Sequence, residues 1–151
     1  MIQYTLKQKL PLLLSIFLFF SVGCASVRLI TDYDDVTYTT INSIQEKITT
    51  FFVDLDQDLG TSKAKYADHK DFYRDLKVKI GTLKLRANAM DKNQIVIQQI
   101  DLLEMNIKNL EALDKMGIST RDEIIPLKNA FDSTLTAMIK LQLALKRGKS
   151  N

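Results

Sequence analysis

Val96-Ile97-Gln98-Gln99-Ile100-Asp101-Leu102-Leu103-Glu104-Met105-Asn106-Ile107-Lys108-Asn109-Leu110-Glu111-Ala112-Leu113 is the stretch that decides the fold class. Apolar residues recur at Val96, Ile100, Leu103, Ile107, Leu110 and Leu113, at spacings of three and four. That is one face of a helix and not the two-residue alternation of a strand. Gly117 follows, suited to the left-handed position just past a helix end.

The same period extends in both directions. Upstream, a stripe runs through Tyr66, His69, Phe72/Tyr73, Leu76, Ile80, Leu83, Ala87 and Met90. Before it come Tyr33, Val36, Thr40, Ile44, Ile48, Phe51, Leu55 and Leu59, opened by a capping pattern at Thr31-Asp32-Tyr33-Asp34 and ended by Gly60-Thr61-Ser62. Downstream, Thr120-Arg121-Asp122-Glu123 reads as a capping box ahead of Ile124, Leu127, Phe131, Leu135, Met138, Ile139 and Leu145. Lys146 and Arg147 close this helix, where the macrodipole favours cations. Pro126 should kink the fourth helix or delay its start, and the boundary Met90-Asp91-Lys92-Asn93 carries neither Gly nor Pro. Four segments of similar length with short connections predict an all-α, antiparallel up-down-up-down four-helix bundle.

Charge supports that order. Residues 32–58 carry one base against seven acids, 63–92 nine against four, 93–116 two against four, and 117–151 six against three. Sequential segments are thus opposite in sign, which favours neighbours in the chain as neighbours in space. Ala130, Ala137 and Ala144 form a small-residue seam on the fourth helix where another helix can approach closely.

The chain has 151 residues, 46% apolar and 26% charged, with net charge +3, one Cys, one His and no Trp. A single cysteine excludes an internal disulfide framework, and a single histidine excludes a multi-histidine metal site. At its start, Lys7 and Lys9 precede an uncharged run from Leu10 to Val22. As a helix this run would reach about 20 Å, short of the ~30 Å hydrocarbon core, which is the pattern of an export signal.

Ser21-Val22-Gly23-Cys24, coming after that run, resembles the lipobox of bacterial lipoproteins, with Ser21 where the family commonly has an aliphatic residue. The resemblance implies cleavage before Cys24 and lipidation (palmitate among the acyl chains) of its thiol. Ala25 next to it implies sorting to the outer membrane, facing the periplasm. The mature part, with its run Tyr66-Ala67-Asp68-His69-Lys70-Asp71-Phe72-Tyr73, resembles small Gram-negative envelope lipoproteins, a likeness that implies no activity. The expected division is a signal peptide over 1–23, a lipidated linker over 24–31, a helical domain over 32–147 and a basic tail over 148–151.

Catalytic and metal motifs fail on spacing. Asp54-Leu55-Asp56-Gln57-Asp58-Leu59-Gly60 opens like a calcium loop, but Leu59 stands where its glycine belongs and Lys65 where its bidentate glutamate belongs. The four glutamates and His69 contain no Glu-x-x-His pair for a di-iron bundle. His69 falls on the apolar face and is expected to be a hydrogen-bonded core residue. Lys70, Arg74, Lys77 and Lys84 flank the second helix and are expected to pair with acidic neighbours, not with nucleic acid.

The expectation is therefore a non-enzymatic lipoprotein without cofactor. It is held to the membrane through Cys24 and acts as a protein-interaction or scaffold module. The alternative is a binder of a small hydrophobic or lipid ligand inside the bundle. The linker would hold the end with Lys92, Lys146, Arg147 and Lys149 at most about 28 Å from the lipid. Partner binding is expected at the opposite end, on Lys63, Lys65, Tyr66 and Arg121.

Overall fold

Asp34 opens the first helix of the computed structural model, which describes residues 30–149. Its carboxylate accepts from the Thr37 N–H at 3.0 Å and the Thr37 hydroxyl at 2.6 Å, answering two donors of the first turn. The cap is thus Asp34 and not Thr31, which is buried and donates its N–H to the Lys92 carbonyl at 3.1 Å. Helix α1 runs Asp35–Asp58, α2 Tyr66–Asn88, α3 Gln94–Met116 and α4 Arg121–Lys149. Among the described residues there is no strand, and no helix is long and apolar enough to cross a membrane. The expected signal peptide and the lipidation site Cys24 lie outside the described residues.

The helix ends obey local chemistry. Gly60 and Gly117 adopt φ +78° and +96°, conformations open to glycine, and the Gly117 N–H bonds the Leu113 and Asp114 carbonyls. Glu123 closes the expected box at the start of α4: its carboxylate accepts from the Ser119 and Thr120 N–H groups at 2.8 and 2.9 Å. Between α2 and α3 the turn is made without glycine. Lys92 takes φ +56°, and the Asn93 amide donates to the Ala87 carbonyl at 2.9 Å. Pro126 does not delay α4, which begins at Arg121 and continues through Lys149, two residues beyond the expected end of the domain.

The four helices share one core. Ile41, Ile44 and Leu55 of α1, Leu76 and Leu83 of α2, Ile100, Leu103 and Leu110 of α3 and Phe131 and Met138 of α4 are all buried in it. Each helix packs on its neighbours in chain order, and α4 returns to α1; the backbones of the diagonal pairs stay further apart. Ion pairs cross three of these junctions as the alternating charge requires: Lys47–Asp75 and Arg86–Asp34, Lys84–Glu104 and Lys77–Glu111, and Arg121–Asp56. Three details of the stripes need correction. Early in α1, Val36 is exposed while Thr37 and Ile41 are buried. At the end of α3 the buried residue is Asp114, while Leu113 is exposed. The alanine seam of α4 is also exposed, because Thr134, Leu135 and Met138 supply the face that meets the core.

Candidate functional site

Tyr66, His69 and Tyr73 lie three and four residues apart, so α2 sets them on one face, opposite the last turns of α3. There Asp114 is fully buried at its side chain and Glu111 is 9% exposed. The Tyr73 hydroxyl donates to Asp114 Oδ2 at 2.9 Å, and His69 Nδ1 lies 2.9 Å from the same oxygen. A carboxylate offers no proton, so Nδ1 carries the hydrogen of this contact. The Tyr66 hydroxyl donates to Glu111 Oε1 at 3.0 Å, Lys77 and Lys115 pair with the same carboxylate, and Lys115 lies 5.0 Å from the centre of the Tyr66 ring.

An acid in the last turn of a helix opposes its macrodipole, which applies to Asp114; donors from α2 hold both acids, and Lys115 holds Glu111 as well. Desolvation pushes Glu111 up, but Lys77, Lys115 and Tyr66 outweigh it and hold its carboxyl below the usual range. Burial, followed by the Asp114 charge, drives the Tyr73 hydroxyl far above the ordinary phenol range, so it stays a donor.

His69 also reaches a groove of about 760 Å³ between α1 and α2. Its floor is aromatic: the Phe51 and Phe72 rings stack at 4.2 Å, and the His69 ring stands edge-on to Phe51 at 5.0 Å. Glu46, Asp54, Asp68, Asp71 and Asp75 line it, against the cations Lys47 and Arg74. An apolar floor with a mainly acidic rim suits a partner that brings cations over an apolar surface. Among the described residues no group of three or more His, Cys, Asp and Glu side chains could hold a metal ion.

The expected binding residues gather at the end of the molecule that holds the 59–65 and 117–120 connections. Lys63 and Lys65 are exposed, and Lys65 precedes α2 without capping it by its side chain. Tyr66 is half-buried in the network above. Arg121 is exposed, but both its Nε and Nη2 bond Asp56, at 2.6 and 3.0 Å. At the other end Lys146 lies over the rings of Tyr33 and Tyr38. In the basic row, Lys77 and Lys84 pair with α3 acids as expected, while Arg74 pairs within α2 with Asp71. Sequence reasoning missed Glu111 and Asp114. Their signal was available: both lie within one helical step of the core positions Ile107 and Leu110. No protein-family model, curated protein or solved structure matches this chain.

Proposed function

We propose that the chain is an outer-membrane lipoprotein anchored through Cys24, whose helical domain is a non-enzymatic module for binding a protein partner. Ser21-Val22-Gly23-Cys24 after an uncharged run supports the anchor. An antiparallel up-down-up-down bundle is supported by contacts whose numbers run in opposite senses: Asp34 with Arg86 and Lys47 with Asp75, then Lys84 with Glu104 and Lys77 with Glu111. In that arrangement the start of α1 and the end of α4 face the membrane, with Lys146, Arg147 and Lys149 toward anionic headgroups.

The observation that carries the binding reading is the fixed polar end opposite. Asp56 aims the Arg121 guanidinium, and Glu111 and Lys115 hold the Tyr66 ring, so ordering these side chains on binding costs little further entropy. Lys63 and Lys65 stand on the loop beside them.

Two variants test this. Cys24→Ser should release the protein from membranes and stop signal processing; unchanged fractionation and processing overturn the anchor. Lys63→Glu with Arg121→Glu should weaken partner capture without changing the melting temperature or membrane attachment. Exposed pairs such as Arg121–Asp56 add little to stability. Undiminished capture contradicts the assignment of this end.

A further inference from the structure

Helix α3 carries an outer strip that no described residue covers. Ile95, Leu102, Met105, Leu113 and Met116 are 49%, 43%, 51%, 41% and 82% exposed. At 100° per residue they fall within about one quarter-turn of each other. The exposed positions between them, Gln98, Asn109 and Ala112, are uncharged. All six charged residues of α3 lie outside this arc. Across the α3–α4 junction, the exposed flank of α4 carries the small residues Ala130, Ser133, Ala137 and Ala144, with Glu123 and Lys140 at its borders.

The two helices are in register in a way that matters. Asn106 donates to the Thr134 hydroxyl at 3.0 Å, and one heptad further Leu113 shares a groove of about 410 Å³ with Pro126 and Ala130. Stepping the other way, Leu102 comes level with Ala137 and Ile95 with Ala144. A large residue on α3 therefore stands beside a small one on α4 at level after level.

We infer that this α3–α4 face is the seat of a second copy of the chain. A two-fold axis running along the α3–α4 groove lays α3 of each copy over α4 of the other and keeps every residue at its own level. The ridge Ile95, Leu102 and Met105 then drops onto the alanine trough of the partner copy, twice by symmetry. The seam at Ala130, Ala137 and Ala144 thereby receives the close helix its spacing calls for, from another molecule.

Size agrees. A face about 35 Å long and two helices (about 20 Å) wide covers roughly 700 Å² per copy, near the ~800 Å² per partner of a stable interface. Charge is sparse on the face: Glu123, which lines the Leu113 groove, is tied to the Ser119 and Thr120 N–H groups, and Lys140 and Asp132 border it beside Ser133 and Ala137, so two identical surfaces repel each other little. Gln98, Asn109 and Ser133 argue against a lipid occupant, since hydrocarbon gives their polar groups no hydrogen bond.

The test co-expresses two differently tagged full-length chains, one with Leu102→Cys and one with Ala137→Cys, and treats intact cells with a short thiol crosslinker. A covalent product carrying both tags is expected. Adding Met105→Glu to both chains should reduce that product by about tenfold or more, because it buries unpaired charge between the copies. Chains with Val78→Cys and Leu85→Cys, exposed on α2, should give none. No mixed-tag product, equal product from the α2 pair, or a product joined to a different protein or to lipid instead overturns the proposal.

Discussion

Asp34 joins two helices with one carboxylate: it caps α1 through Thr37 and holds Arg86 of α2 through bonds of 2.6 and 2.9 Å. The Arg86 guanidinium first, and the Thr37 donors after it, hold its pKa at about 2, against an ordinary value of 3.8. A lowered folded-state value means that this contribution is fully present above about pH 4 and is lost as pH falls toward 2. Asp34→Asn keeps a capping oxygen but removes the charge that faces Arg86, and should cost about 1–2 kcal/mol at neutral pH. The same variant should flatten the acid limb of a urea-midpoint titration between pH 4 and 2. At His69, removal of a donor from buried Asp114 makes His69→Ala destabilising by roughly 1–3 kcal/mol, with His69→Gln milder, in thermal melts. Unchanged melting with lost partner capture would instead place His69 in the recognition surface. That His69 would turn partly inward and find a hydrogen bond was legible from its place on the stripe, although it also lines the α1–α2 groove and stays outside the core. Its partner was not, because a period of three and four cannot rank Leu113 above Asp114 when hydrogen-bond donors wait on the facing helix.

At the scale of the element, periodicity carries the helices and fails at their edges. Gly60 and Gly117 mark ends because they supply left-handed backbone. The α2–α3 turn carries no such mark: Lys92 adopts φ +56° and Asn93 bonds a carbonyl six residues back. That turn depends on a contact visible only once the chain is folded. Gly81 sits within α2 with open space where a Cβ would go. Gly81→Ala should therefore stabilise by about 0.5–1 kcal/mol in denaturant unfolding, by helix propensity alone. The alanine seam was legible as a pattern, but a pattern of small residues does not say whether the approaching helix belongs to the same chain.

For the whole molecule, alternating segment charge foretold which helices touch, and Lys47–Asp75, Lys77–Glu111 and Arg121–Asp56 are its realisation. Function was less legible, because a bundle of this kind presents side chains instead of a motif. In the proposed function, the end bearing Lys63, Lys65, Tyr66 and Arg121 captures a protein partner while the other end stays near the membrane. The direct measurement is photo-crosslinking in intact cells, with a photoreactive residue placed singly at Lys63, Arg121, Val78, Leu85 or Lys149. The account predicts one shared protein adduct from positions 63 and 121 and none from 78, 85 or 149. The same adduct from position 149, or from the Val78 and Leu85 face with none at 63 and 121, contradicts it.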